Sequence, residues 1–405
     1  MTGKINKKTI LALGWVSFFM DVSSEMIYPL LPIFMADTLG VGALTIGIVA
    51  GLSESIASFF RIFSGVLSDR VRHRKGLVLA GYSISAISRI VLALANSWGQ
   101  VLGFRLLDRA GKGLRTPPRD ALISDSATEE TYGRYYGYHR AMDTAGAVLG
   151  PTIAFLVISS GYAMGSIFWL SLIPALLAVA ILYIFVTEPG RIAQDKRGSL
   201  SANGRGQGSR PLGQGLPSEV KIFLFITAIF SLGNSSNFFI ILKAKDLGFS
   251  AVMIPLLYIS MNISYALFAY PAGRLADRYG KATLTFIGYF AYAVAYALFA
   301  FRFGARTMWL LLPFYGLYLG LTDGVNRAYM ATLLPKEKKA TGFALYHTVI
   351  GISLLPASIL GGWLWDKISP AWTFLAGSAF SLLAGILFGV LLFRLRRRNA
   401  ATADG

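Results

Sequence analysis

Asp21 and Glu25 lie four residues apart inside one long apolar run, so a helix there carries both on one face. Neighbouring carboxylates in a low-dielectric setting do not readily bear charge together. Such a pair suits proton uptake on one side of a barrier and release on the other. Glu54 stands in the middle of the next apolar run, and Arg89 in the third. Arg105, Asp108, Arg109 and Lys112 recur at i, i+3, i+4 and i+7 and line a single face. His139, Arg140 and Asp143 begin a fifth run, and its later glycines, with Gly137, stand at Gly146 and Gly150 before Pro151. Further along come Asn234, Asn237, Asn262, Asp323, Asn326, Arg327 and His347. Ionisable groups buried in apolar runs default to functional roles. The competing reading pairs each acid permanently with Arg89, Arg105 or Arg140.

Other chemistries fit less well. Asp21, Glu25, Glu54, His139 and Asp143 are hard ligands that could take a divalent cation, but no H-x3-H pattern accompanies them and the nearby arginines repel cations. No metal site is therefore assigned. The absence of cysteine excludes disulfides, iron–sulfur clusters and thiolate zinc sites. No H-E-x-x-H, P-loop or G-x-S-x-G element appears, which argues against an enzyme, and no cofactor is expected.

The elements that must position these groups follow from hydropathy. Of 405 residues, 55% are hydrophobic and only 14% charged, against about a quarter charged in soluble domains. Apolar stretches of roughly 20 residues, enough to cross a ~30 Å hydrocarbon layer, recur along the chain. Backbone polar groups in lipid must be satisfied within the segment, so these stretches are helices. Twelve are expected, near 9–35, 44–68, 76–95, 99–116, 136–160, 164–187, 220–242, 250–272, 281–301, 307–331, 340–364 and 370–393. The first is a span and not a secretion signal, because it is long, carries acids and lacks a small-residue cleavage pattern. Thr116-Pro117-Pro118 is expected to end the fourth helix.

The net charge of +18 sits mainly in short loops, as the positive-inside rule describes, and not in a nucleic-acid patch. Lys4, Lys7 and Lys8, then Arg70, Arg72, Arg74 and Lys75, then Lys336, Lys338 and Lys339, then Arg394, Arg396, Arg397 and Arg398 all fall on one side. The opposite loops 36–43, 96–99 and 160–165 hold no Lys or Arg. Both termini are expected in the cytoplasm, in a multi-pass protein of the inner (plasma) membrane.

Residues 188–219, rich in Gly, Ser and Arg, read as a flexible cytoplasmic linker. The expected organisation is a six-helix bundle over 1–187, the linker, a second bundle over 220–394 and a cytoplasmic tail over 395–405. The halves repeat. Gly65-Val66-Leu67-Ser68-Asp69-Arg70 after span two matches Gly273-Arg274-Leu275-Ala276-Asp277-Arg278 after span eight. Gly137, Gly146 and Gly150-Pro151 in span five match Gly342, Gly351 and Leu355-Pro356 in span eleven. Internal repeats mark many secondary transporters.

On these motifs the sequence resembles the major facilitator superfamily along nearly its whole length. The resemblance implies an all-α membrane fold of two pseudo-symmetric six-helix bundles. It also implies a cytoplasmic latch at Gly65, Asp69, Arg70, Gly273, Asp277 and Arg278, although Arg72 replaces a usual glycine in the first copy. Arg109 and Gly113 resemble the family's R-x-x-x-G motif. Gly137, Gly146, Gly150 and Pro151 resemble the G-x8-G-x3-G-P signature of its proton-exchanging exporters, without the final glycine pair. Small residues at those intervals let helices approach, and proline bends them.

The expected function is transport of a small solute by alternating access, by a monomer, with protons as coupling ion and a small organic compound exported. The alternatives are a proton-coupled uptake symporter for an organic anion, which Arg89, Arg105, Arg109 and Arg140 would suit, and a divalent metal exporter. A membrane sensor would need a soluble output domain, which the sequence lacks.

Overall fold

Apolar runs long enough to cross a hydrocarbon layer can satisfy their backbones only internally, and every described element is helical. The computed structural model describes residues 6–70, 74–127, 131–188, 216–335 and 339–403. The expected linker 188–219 and the basic positions Lys4, Arg72, Lys336 and Lys338 lie wholly or largely outside them, as do the side chains of the tail.

Twelve helical spans result: α1 (Lys7–Thr38), α2 (Ala43–Arg70), α3 (Arg74–Ala93), α4 (Trp98–Ser126), α5 (Tyr132–Ser159), α6 (Met164–Phe185), α7 (Ser218–Asp246), α8 (Ile254–Tyr279), α9 (Lys281–Ala300), α10 (Met308–Leu333), α11 (Lys339–Lys367) and α12 (Pro370–Ala403). Among the described residues, nine of these are apolar enough by length and composition to cross a membrane. The other three are α4, α8 and α10, which carry Arg105 to Arg119, Asn262, and Asp323 with Arg327. Their polarity belongs to the sites described below.

Two helices are broken at equivalent places in the repeat. α1 leaves helical geometry at Tyr28–Leu30, around Pro29, and resumes at Leu31. α7 stops at Gly233, passes through Asn234–Asn237 outside regular helix and resumes at Phe238. Interrupted spans at matching positions are the usual mark of a carrier's binding region.

α4 departs from the sequence expectation. Instead of stopping at Pro117-Pro118 it continues to Ser126 with both prolines inside. Pro118 has no N–H to give the Leu114 carbonyl four residues back, but the Ser64 hydroxyl of α2 donates to that carbonyl instead. Proline is tolerated within a membrane helix when a neighbouring Ser or Thr re-satisfies the freed group.

By backbone packing the chain divides into two compact units, Met1–Leu30 with Ile56–Gln214, and Leu31–Ser55 with Gly215–Gly405. In the first, α1 packs on α5 and α6, and α3 on α4 and α6. In the second, α7 packs on α11 and α12, and α9 on α10 and α12. The same pairing therefore occurs twice, which is the structural counterpart of the duplicated motifs. The first core is built from Leu13, Val16, Met20, Val78, Tyr82, Ala178 and Leu182.

The second unit takes in the far end of α1 and the first half of α2, residues 31–55. There α2 lies tightly on α11: a Cβ at Gly51 would stand 2.9 Å from the Leu355 Cα, and one at Gly362 2.5 Å from the Ala43 carbonyl oxygen. Asp366 of α11 accepts from the Ala43 and Leu44 amides at 2.9 and 2.8 Å. A carboxylate there meets the positive end of the helix dipole.

Candidate functional site

The first unit gathers the ionisable groups that the sequence singles out. Arg89 is 1% exposed and its Nη2 lies 3.1 Å from Asp108 Oδ1. Its Nε donates to Ser23 Oγ at 3.1 Å and its Nη2 to Ser24 Oγ at 2.9 Å. The guanidinium also sits 5.2 Å from the centre of the Phe104 ring. α1, α3 and α4 are thus joined through one cation. Arg109 Nε lies 3.8 Å from Asp108 Oδ2, Arg105 lies over the Tyr28 ring and Arg115 over the Tyr82 ring. All four arginines are buried. Arg89 is held by Asp108 and the two serines.

The acids of α1 face α5 instead. A Cβ on Gly146 would stand 3.0 Å from the Asp21 Cβ and 2.7 Å from the Phe18 carbonyl oxygen. One on Gly150 would stand 3.0 Å from the Glu25 Cβ. The two glycines therefore let α5 lie against the very turns of α1 that carry the carboxylates. Gly137, by contrast, faces open space, with nothing within 4 Å of an added Cβ. Pro151 continues α5 within the helix.

One turn before Gly146, Asp143 accepts a short hydrogen bond from Ser17 of α1 and lies 3.5 Å from His139 Nδ1. Arg119 Nη1 reaches Ser17 Oγ at 3.5 Å while pairing with Asp120 at 2.9 Å. Asp21 lies within electrostatic reach of Asp143, Glu25, Lys112 and Arg115. Asp21, Glu25, His139 and Asp143 therefore meet along the α1–α5 seam, whereas Arg140 is exposed and Glu54 belongs to the second unit. Ser17 and Arg119 were not legible as members of this group: a serine in an apolar run is unremarkable, and Arg119 follows two prolines.

The second unit holds a cavity of about 360 Å³. Its wall is formed where α7 is broken, by Asn234 and Asn237, and by Asn262, Tyr265, Asp323 and Asn326 of α8 and α10, with tyrosines from α8 to α11 around them. The break is stabilised from outside the cavity. The Tyr292 hydroxyl donates to the Gly233 carbonyl at 2.9 Å, and Tyr296 to the Ser235 carbonyl at 3.3 Å. Tyr315 donates to Asn237 Oδ1 at 2.9 Å. Tyr292, Tyr296, Tyr315 and Tyr318 pack as one aromatic block, the first two stacked with ring centres 4.1 Å apart. Its signal in the sequence is spacing: Tyr289, Tyr292 and Tyr296 on one face of α9, and Tyr315 and Tyr318 on α10. Asp323 and Arg327 form an ion pair at 2.6 Å, and the Tyr265 hydroxyl also donates to Asp323 at 3.0 Å.

No three His, Asp or Glu side chains converge among the described residues in a way that could hold a metal ion.

The family model described as Major Facilitator Superfamily matches residues 13–219 and 223–405. The chain belongs to this superfamily. An uncharacterized MFS-type transporter of Methanocaldococcus jannaschii is 38% identical over 94% of each chain. The multidrug resistance protein MdtH of Edwardsiella ictaluri is 32% identical over 32% of each chain. Among solved structures, the nucleoside transporter NupG superposes with a TM-score of 0.76 at 15% identity, covering 95% of this chain and 99% of that one, a likeness of fold. As a Major Facilitator protein, the chain is a multi-pass membrane transporter and not an enzyme.

The superfamily's loop motifs can be located on this fold. Among the described residues, Gly65 has the Pro117 Cβ at 4.0 Å from an added Cβ, and Gly273 has nothing within 4 Å. Asp69 and Arg70 end α2, with side chains outside the described residues. Beyond them Arg74 pairs with Asp125 of α4, and the Lys75 amide donates to Glu188 at 2.7 Å while its Nζ donates to the Tyr183 carbonyl at 2.8 Å. In the second copy Asp277 lies 4.0 Å from Lys281, and Arg278 rests over Tyr279. Gly113 of the R-x-x-x-G motif is a contact position: an added Cβ would stand 2.6 Å from the Ala57 carbonyl oxygen of α2.

Proposed function

We propose that this transporter exchanges protons for a small organic compound and works as an exporter, with both termini in the cytoplasm and a monomer in the inner membrane as the working unit. The observation that carries the reading is the α1–α5 seam, where Gly146 and Gly150 set Asp21 and Glu25 beside Asp143. A carboxylate whose surroundings include other carboxylates, a histidine and arginines changes its protonation with small rearrangements of those neighbours. Two discrete packings of α1 against α5 would present Asp21 to different partners, which is what coupling requires. The exporter direction draws on the resemblance of the α5 glycines to the antiporter signature and on the partial similarity to MdtH.

Protein in liposomes loaded with a pH-sensitive dye tests this. Addition of a transported solute is expected to move protons, and Asp21→Asn or Asp143→Asn to abolish the proton signal. Solute should accumulate in inside-out vesicles whose lumen is made acidic. Transport with no proton movement, or proton movement that survives both substitutions, removes the coupling role of the seam.

A second reading, uptake of an organic anion with protons, is favoured by the four buried arginines around Asp108. It reverses the vesicle result, with accumulation in right-side-out vesicles under an acidic exterior. For the metal-export alternative the described residues offer no group of three ligands.

A further inference from the structure

The cavity of the second unit is unlike the charged seam of the first. Its lining offers amides and phenols, and its one acidic group, Asp323, is already matched by Arg327 at 2.6 Å and by the Tyr265 hydroxyl. A charged solute would have to displace that pair or enter without a counter-charge, and burial of an unmatched charge is costly. An uncharged solute meets no such obstacle.

The amides are also set for particular bonds. Tyr315, 1% exposed, donates to Asn237 Oδ1. That bond fixes the amide rotamer, occupies its acceptor and leaves its NH₂ group to donate. Asn326 lines the same cavity, and its Oδ1 is buried with no hydrogen-bond partner among the described residues. A buried acceptor without a partner costs stability unless a ligand or water supplies a donor. The wall therefore offers a directed donor at Asn237, and at Asn326 an amide whose buried, unpartnered acceptor becomes available to a solute donor when the amide turns. Tyr258, Tyr265, Tyr289, Tyr318 and Tyr346 add ring faces. Aromatic walls with a few directed polar groups recognise ring compounds.

We infer that the cavity at the α7 break binds an uncharged ring-bearing solute with both hydrogen-bond donors and acceptors, a heterocycle or a cyclic polyol, held by Asn237 and Asn326 and oriented through Tyr315. This names the substrate class for the carrier proposed above and rests on that reading. Tyr315 is a positioning residue, since it acts through Asn237.

Isothermal titration calorimetry on the purified full chain in detergent, with no proton gradient, tests it. Four probes are compared: an uncharged heteroaromatic glycoside, a disaccharide, a cationic aromatic dye and an aromatic carboxylate. At least one uncharged probe should bind, with each charged probe at least tenfold weaker. A heterocycle is indicated if the glycoside alone binds, and a polyol if the disaccharide binds as well. Asn237→Asp keeps the acceptor for Tyr315 and removes the donor, and it should weaken binding about tenfold, the effect of losing one directed hydrogen bond in a buried site. Asn326→Ala should do the same. Tyr315→Phe should weaken binding less, and Asn237→Asp should lose most of its effect in the Tyr315→Phe background. Failure of both uncharged probes to bind overturns the inference, and so does a charged probe that binds more tightly or indifference to both Asn substitutions. Because no gradient is present, these outcomes are independent of the proton measurement: binding without proton flux overturns the coupling reading and leaves the cavity assignment intact.

Discussion

A guanidinium inside a membrane protein stays charged, so its surroundings must supply what water would have given. Arg89 obtains this from Asp108, Ser23, Ser24 and the face of Phe104, which come from two helices other than its own. Removing one partner of a buried pair leaves the other without compensation, at a cost of about 3–5 kcal/mol, whereas replacing both with well-packed apolar groups is often neutral. Asp108→Asn is therefore expected to lower the thermal midpoint of the purified protein clearly, and Arg89→Met with Asp108→Leu to restore only part of it, because Arg109 also loses Asp108. If the double substitution is as unstable as the single one, Asp108 serves Arg109 and the other neighbouring arginines more than it serves Arg89. The sequence pointed to both residues through their depth in apolar runs. It did not point to their partnership, because Arg89 and Asp108 lie on different helices and the intrahelical spacing of Asp108 suggested Arg105, Arg109 and Lys112 first.

Between elements, small residues decide how close two helices come. The three glycines of α5 look alike in the sequence, yet an added Cβ would meet the Phe18 carbonyl oxygen at 2.7 Å from Gly146, the Val22 carbonyl oxygen at 2.7 Å from Gly150, and nothing within 4 Å from Gly137. Gly137→Ala should then stabilise the helix slightly, by about 0.5–1 kcal/mol, because glycine costs that much relative to alanine in a helix interior. Gly146→Leu should force α5 away from α1, lower the thermal midpoint and remove the proton signal in liposomes, since it displaces Asp143 from Ser17. Equal tolerance at the two positions, measured by thermal unfolding and by proton flux, would show that close approach along this seam is not required. The same logic explains where sequence reasoning stopped short in α4. Two prolines are a sound stop signal locally, but the Ser64 hydroxyl that takes over the Leu114 carbonyl comes from a helix about fifty residues earlier in the chain. Tertiary rescue of this kind leaves no trace in the local pattern. The α7 break escaped notice for the opposite reason. Gly233-Asn234-Ser235-Ser236-Asn237 sits between strongly apolar flanks, and the phenols that satisfy it lie on α9 and α10.

For the whole chain, the run of long apolar segments anticipated the twelve helices, nine of which are apolar enough among the described residues to cross a membrane. The repeat was legible because the same loop and glycine motifs recur, and the two units repeat the same helix pairing. What hydropathy cannot supply is sidedness, which comes from loop charge alone. With Lys and Arg absent from 36–43, 96–99 and 160–165 and abundant in the alternate loops, the positive-inside rule predicts those three loops outside and both termini within. The complete absence of cysteine gives a background-free test. A single cysteine at Asn96, in the loop between α3 and α4, should react with a membrane-impermeant maleimide on intact cells. One at Lys8, at the start of α1, should react only after the membrane is opened. If the two respond the other way round, the chain lies inverted in the bilayer. Exchange runs down the proton gradient whichever way a carrier faces, so the acidic-lumen experiment would still report export, but by a carrier whose helix ends meet the two compartments in the opposite order. The labelling result therefore fixes which helix ends face the cytoplasm, and the vesicle measurement fixes the direction of solute flow independently of it.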